Sequence, residues 1–164
     1  YSLMAGSLGF KVKAFEPDQM NYSNLVENVE LNKFSIETNR KAVLDQNKTV
    51  EMTSTANVKN TVGTGEEEVE AVSIDDFIDS EEIKLIKIDV EGAELKALRG
   101  MRNKLIDQKP VILIELHKED TKEPFKHDPE EVKGFLKDLD YTLETVEKRK
   151  EKDLQAQTLF GTQK

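Results

Sequence analysis

Residues 84–101, KLIKIDVEGAELKALRGM, set three carboxylates, Asp89, Glu91 and Glu94, and one glycine, Gly92, between an apolar run and an amphipathic pattern. Carboxylates at the mouth of a buried strand can accept hydrogen bonds from hydroxyl or ammonium groups, take up a proton, or hold a hard cation. A charge directly after apolar residues is costly without a partner, which makes Asp89 the sharpest of the three. Asp89 can equally cap a helix beginning near Glu91, with Glu91 and Glu94 in its first turn against the positive end of the helix dipole. That reading covers Glu94. It leaves Gly92 unexplained, because glycine costs about 1 kcal/mol of helix propensity relative to alanine, and Gly92-Ala93 suggests that something approaches the backbone closely. Three further residues join these candidates. Glu16 follows the apolar stretch Lys11 to Phe15, and Glu115 and His117 close VILIELH.

The elements that would position these residues alternate along the chain. Lys11 to Phe15 reads as a strand stopped by Glu16-Pro17-Asp18, and Tyr22, Leu25, Val26 and Val29 then recur on one helical face. Ser35 to Leu44, Thr49 to Thr53 and Val69 to Val72 are weaker strands, and NVKNTVGTGEEE is a polar loop. Ser73 to Ile78 reads as one helical turn with Ser73 as its cap and Asp76 three residues on. KLIKIDV and VILIEL are the best buried strands, joined by a helix with Leu95, Leu98, Met101 or the stem of Arg102, and Leu105 inward. That is a β-α-β unit, hence parallel strands and an α/β fold. Asp128-Pro129-Glu130-Glu131 opens a last helix that buries Val132, Phe135, Leu136 and Leu139. Tyr141 to Val146 and Thr158 to Gly161 form an antiparallel pair bridged by the charged loop EKRKEKDLQ. At the start, Leu3, Met4 and Leu8 share the face of a helix.

In an open parallel sheet, ligands bind beyond the carboxyl ends of the strands, which places Glu16, Asp89, Glu91, Glu115 and His117 along one edge. An acid after the second strand of a nucleotide-binding half accepts hydrogen bonds from ribose hydroxyls, although a surface acid capping the next helix accounts for Glu16 as well. His117 has the ordinary pKa of a base near neutrality, about 6.5, yet a structural histidine bonded to Glu115 or to backbone fits the position too. Nothing in the spacing of Asp89, Glu91 and Glu115 compels a divalent cation, and no metal is expected.

Composition narrows the function classes. The 164 residues, 37% apolar, suffice for one domain with a real core. The net charge of -9 argues against nucleic acid or an anionic membrane as the main partner. No window resembles a membrane span or a signal peptide, so the cytoplasm is the default location. The absence of cysteine excludes disulfides and thiolate metal sites. The sequons at Asn21 and Asn47 are expected to be chance matches.

AFEPD, a helix ending in NVELN, then SIDDFI, IKIDVEGAELKALRGM and PVILIELH resemble, in order and spacing, the FkbM family of S-adenosylmethionine-dependent methyltransferases over roughly residues 1–120. The resemblance implies a Rossmann-like class I methyltransferase fold, a mostly parallel sheet with a C-terminal antiparallel strand pair, in a single domain over 1–164. It implies that Glu16, with Pro17 beside it, binds the ribose of S-adenosylmethionine, and that residues 40–45, RKAVLD, with Ala42 among them, pass near the adenine. Asp89 and Glu91 would face the methionine portion or the acceptor, Gly92 would give room, and Glu115 or His117 would take the acceptor's proton. The implied acceptor is a hydroxyl of a sugar, glycan or small secondary metabolite. The family's first strand and its D-x-G-A-N-x-G turn, expected just before YSLMAGSLGF, are not in this sequence, so the domain is expected to be partial. A dehydrogenase using NAD, to which Glu16 alone is equally suited, and a non-catalytic α/β module are the other readings.

Overall fold

The computed structural model describes residues 1–53, 61–62, 67–90, 92–117, 128–151 and 154–163. Helix α1 (Ser2–Ser7) precedes strand β1 (Val12–Phe15), helix α2 (Gln19–Asn32), strand β2 (Ile36–Asn39) and strand β3 (Ala42–Val43). Strands β4 (Lys48–Thr53), β5 (Thr61–Val62) and β6 (Glu67–Val72) lead to the one-turn helix α3 (Ile74–Phe77) and strand β7 (Leu85–Ile88). Helices α4 (Glu94–Arg99) and α5 (Arg102–Gln108), strand β8 (Val111–His117), helix α6 (Pro129–Asp138) and strands β9 (Tyr141–Glu151) and β10 (Leu154–Gln163) follow.

The expectation of one mostly parallel sheet is corrected: the described strands form three sheets, one parallel and two mixed, while the expected C-terminal antiparallel pair is present as β9 and β10. β1 and β2 pair in parallel, β7 and β8 pair in parallel, and β10 inserts antiparallel between β8 and the edge strand β9. The third sheet has the order β3-β6-β4-β5. Phe15 of β1 meets Phe77 edge-on at 5.2 Å between ring centroids, and Lys13 Nζ lies 3.1 Å from Glu81 Oε1, so β1 is held against the segment leading into β7.

Local chemistry accounts for the helices. Asp18 accepts a hydrogen bond from the Asn21 N–H at 2.8 Å and caps α2, which ends at Lys33 in the left-handed region, φ 56°. Asp128 does the same for α6 by accepting from the Glu130 N–H at 2.9 Å, with Pro129 in the first turn. Val132 and Leu136 of α6, Leu98 and Leu105 of α4 and α5, and Ile112 and Ile114 of β8 are fully buried in the main core. Ala42, Leu44, Met52, Val69, Ala71 and Ala93 make a second, smaller core under the third sheet. No helix among the described residues is long and apolar enough to cross a membrane.

Several boundaries differ from the sequence reading. The helix between β7 and β8 is broken at Gly100, whose backbone presses on Leu44: a Cβ there would stand 1.9 Å from the Leu44 carbonyl oxygen. Arg102 is exposed, and Met101 fills the inward position. Ser73 does not cap α3 with its side chain. Its Oγ donates to the Gly100 carbonyl at 2.8 Å, while the Asp75 carboxylate accepts from Asn103 N–H and Lys104 N–H, both at 3.0 Å, and so caps α5. The charged stretch after Val146 continues as strand to Glu151, because β10 from Leu154 supplies a ladder partner for each residue there. Ser35 to Leu44 divides into β2 and β3, which join different sheets. Met4 and Leu8 are exposed, as α1 ends at Ser7 and packs through Leu3 and Gly6, beside Phe34 and Ile36. Most of the polar loop, residues 57–60 and 63–66, lies outside the described residues, but Thr61 and Val62 within it form β5. Asn47 is hydrogen-bonded through its amide to Ser73 N–H at 2.9 Å and to Asp76 at 3.2 Å, a fixed connector between β3 and α3.

Candidate active site

The carboxyl ends of β1, β7 and β8 carry the candidate residues. Glu16 extends the β1–β2 ladder, its N–H donating to the Asn39 carbonyl at 3.0 Å. Its Oε1 accepts from the Asp18 N–H at 3.0 Å, and it is Asp18, 1% exposed, that caps α2. Glu16 therefore braces the turn and leaves the capping to Asp18. Burial pushes the Glu16 carboxyl above the ordinary carboxylate range, opposed by the hydrogen bond from Asp18 N–H and reinforced by the Asp18 charge. Pro17 is half-buried beside it.

β7 delivers Asp89 to the edge, and a residue that the candidate set lacked, Lys87, holds it there. Lys87 Nζ lies 3.2 Å from Asp89 Oδ2, 3.1 Å from the Ile88 carbonyl and 3.8 Å from Glu115 Oε2 on the neighbouring strand. The Tyr1 ring centroid is 5.1 Å from the same nitrogen, within cation–π range. The Lys87 side chain is 14% exposed and that of Glu115 16%, against 42% for Asp89. β7 is less buried than the sequence suggests, with Ile88 covered and Leu85 58% exposed, but the signal for Lys87 was present in LIKI: a lysine largely covered among apolar residues must find counter-charges.

Asp89 does not cap a helix. α4 starts at Glu94 behind Ala93, and the chain reaches it through a turn in which Gly92 has φ +101°, a conformation that side-chain-bearing residues rarely adopt. The Gly92 N–H donates to Glu94 Oε1 at 3.2 Å, and Glu94 is fully buried. Glu94 stands in the first turn of α4 as expected and in addition accepts from the Gly92 turn, and the left-handed backbone of Gly92 supplies the reason for glycine that the helix reading lacked. Glu91 lies outside the described residues.

On β8, Glu115 and His117 are two residues apart. The backbone of His117 is described and its side chain is not. Ala42 sits in β3, 3% exposed, paired with Ala71 and packed in the second core together with Ala93. The RKAVLD stretch thus shares that core with Ala93 through Ala42 and Leu44, and its Arg40 and Lys41 are ion-paired to Glu67 and Glu70. The structure brings Lys87, Asp89 and Glu115 into one cluster and Ala42 and Ala93 into the same small core, while Glu16 stands at the end of the separate β1–β2 pair. Among the described residues no group of three or more His, Asp or Glu is arranged to hold a metal ion, and the cation site considered from sequence includes Glu91, which is not described. Two carboxylates around one ammonium at the mouths of adjacent parallel strands can accept from hydroxyl and ammonium donors and take up a proton.

Comparison with known proteins agrees with the motif. The chain is similar to a solved structure, methyltransferase FkbM from Methylobacillus flagellatus, at 19% identity and a TM-score of 0.62, over 92% of this chain and 36% of that one. The chain therefore spans about a third of the length of that protein, and the likeness is one of fold. No curated protein matches. The model of the methyltransferase FkbM domain matches residues 3–143, and on this ground the chain belongs to the FkbM methyltransferase domain family.

Proposed function

We propose that this chain is part of a Rossmann-like, S-adenosylmethionine-dependent O-methyltransferase that methylates a hydroxyl of a sugar, glycan or secondary metabolite in the cytoplasm. The observation that carries the reading is the Lys87-centred pair of carboxylates, Asp89 and Glu115, at the carboxyl ends of two adjacent parallel strands. The parallel β1–β2 pair and the antiparallel β10–β9 end of the second sheet support the same fold reading.

The residues present suit the cofactor chemically. S-adenosylmethionine has two ribose hydroxyls and a cationic methionine end, and this edge of the fold is rich in acceptors and acidic. Glu16, partly dehydrated and with carboxylate acceptor capacity beyond its bond to Asp18 N–H, would take the ribose hydroxyls. Asp89 would face the methionine portion, the Gly92 turn would allow close approach of the backbone, and Pro17 and the strand around Ala42 would flank the adenosine. When bound, the cofactor supplies a methyl carbon whose bonding pair returns to sulfur as the acceptor oxygen takes the methyl. The chain's own part is to hold the acceptor hydroxyl in line and to receive its proton at Glu115 or His117, which geometry requires to be within about 2.6–3.2 Å of that hydroxyl.

The test is calorimetric titration of S-adenosylmethionine and, separately, of NAD into the full-length protein. Binding of S-adenosylmethionine alone, weakened by Glu16→Ala and by Asp89→Asn with the fold intact, is the expected result. Binding of NAD in its place would move the chain among dehydrogenases, and binding of neither would make it a non-catalytic module.

A further inference from the structure

Lys87 is a largely covered charge held by several partners at once. Its nitrogen hydrogen-bonds to its own strand's carbonyl at Ile88, is ion-paired with Asp89 and Glu115 and lies over the Tyr1 ring, all with 14% of the side chain exposed. An ammonium enclosed in this way is not available to grip a further anionic ligand; its contacts are already within the protein. What it changes is the field at the strand ends. With Lys87 the cluster of two carboxylates and one ammonium has a small net negative charge; without it, the same two carboxylates share a half-buried site with one positive charge fewer.

We infer that Lys87 is a charge-balancing positioning residue that sets how strongly this site distinguishes a cationic sulfonium ligand from its neutral thioether product. The inference rests on the methyltransferase proposal above. S-adenosylmethionine and S-adenosylhomocysteine differ by one methyl group and one positive charge at sulfur, so the ratio of their dissociation constants reports the local potential directly. Removing the ammonium makes the strand ends more negative, which favours the cation and leaves the neutral product behind. Lys87 therefore restrains ground-state stabilisation of the sulfonium, which would otherwise slow a reaction in which that charge disappears.

The experiment is calorimetric titration of S-adenosylmethionine and S-adenosylhomocysteine into the full-length wild type, Lys87→Met, Lys87→Arg and the double variant Lys87→Met/Glu115→Gln. The expected result is a preference for S-adenosylmethionine that rises about fivefold in Lys87→Met, the order of size of one charge at partly solvated range, and shrinks with added salt. Lys87→Arg, which keeps the charge, holds the wild-type ratio, and so does the double variant, which restores the balance. A purely structural lysine would weaken both ligands together: an unchanged ratio in Lys87→Met, or a raised ratio that the double variant does not reverse, overturns the inference while leaving the methyltransferase reading standing. If Lys87→Met does not fold, Glu115→Gln alone, which removes one negative charge, is expected to lower the ratio about fivefold and the double variant to restore it; a double variant that keeps the Glu115→Gln ratio overturns the inference. Absence of binding of either ligand to the wild type overturns both readings.

Discussion

Gly100→Ala separates backbone preference from packing, because the two act in opposite directions at this position. Gly100 has φ -74° and ψ -5°, a right-handed helical conformation in which alanine is comfortable. Judged by conformation alone, the substitution should stabilise the chain by about 0.4–1 kcal/mol by narrowing the unfolded ensemble. The packing says otherwise. The new Cβ would lie 1.9 Å from the Leu44 oxygen, 2.8 Å from the Leu44 carbonyl carbon and 3.0 Å from the Asp45 Cα, where ordinary contact begins at 3.4 Å. Neither backbone is free to yield. Leu44 is completely buried with its N–H bonded to the Val72 carbonyl at 2.9 Å, and the Gly100 carbonyl is held by Ser73 Oγ and by the Asp75 N–H, each at 2.8 Å. Forcing the segments apart carries an overpacking cost of about 1–3 kcal/mol or more and loosens those hydrogen bonds, each of about 1 kcal/mol. The net expectation is a loss of about 2–3 kcal/mol, a fall in melting temperature of about 4–12 °C for a chain of this size. Urea denaturation followed by circular dichroism provides the measurement, with the midpoint falling and the slope unchanged. Gly134→Ala is the matched control. Gly134 lies inside α6, where an added Cβ would meet nothing within 4 Å, so the same change there should raise stability by about 0.5–1 kcal/mol. An unchanged or higher midpoint for Gly100→Ala would refute the close approach of Gly100 to Leu44.

Three further outcomes are expected. Because burial raises the Glu16 pKa in the folded state, its contribution to stability is fully present below the unfolded carboxyl value of about 4.3 and is lost as pH rises through the folded value. Glu16→Gln should therefore be more stable than wild type at pH 7, the difference closing below about pH 4, while S-adenosylmethionine binding weakens; denaturation against pH shows the first, and a wild type that is more stable at pH 7 would contradict it. Tyr141 donates from its hydroxyl to the Pro110 carbonyl at 2.9 Å, and burial pushes its pKa up to about 12. Wild-type stability should then fall as pH rises from about 10 towards 12, a slope that Tyr141→Phe lacks, with a cost of about 1–3 kcal/mol at neutral pH from the orphaned carbonyl. Gly92→Val should lose about 1–3 kcal/mol or more because φ +101° excludes a branched side chain; a loss below about 0.5 kcal/mol in thermal melting would remove the turn as the reason for this glycine.

The parts of the fold legible in the sequence were those governed by near neighbours. The capped helices after Asp18 and Asp128 and the place and parallel pairing of the two apolar strands around 84–90 and 110–116 follow from capping chemistry and apolar patterns confined to a few residues, although the first strand buries only Ile88. The buried faces Leu95, Leu98, Met101, Leu105 and Val132, Leu136 were equally plain. What escaped was decided across distance. The break at Gly100 is imposed by Leu44, far earlier in the chain, and the role of Ser73 changes because the Gly100 carbonyl is closer to its hydroxyl than the helix it precedes. The division of residues 35–44 between two sheets depends on β6 as a partner for β3. At the site, Asp89, Glu115 and Gly92 were visible from type and position, whereas the part of Lys87 depends on the neighbouring strand, which brings Glu115 to 3.8 Å from its nitrogen.

Val90, inside the motif, packs against both hydrophobic cores, and Ala93 two residues after Glu91 belongs to the smaller one. That smaller core has six buried members among the described residues, three of them alanines, and so removes far less apolar surface from water than the main one. Sub-global opening should begin there: amides of β4 and β6 exchange with solvent as a cooperative unit ahead of those of β8, whose exchange awaits unfolding of the whole domain. Val90 and Ala93, on either side of the motif's centre, stand at the boundary between the two units. On warming, the strand ends would therefore lose their binding geometry while most of the domain is still folded, and the temperature at which ligand capacity disappears would lie below the calorimetric melting point.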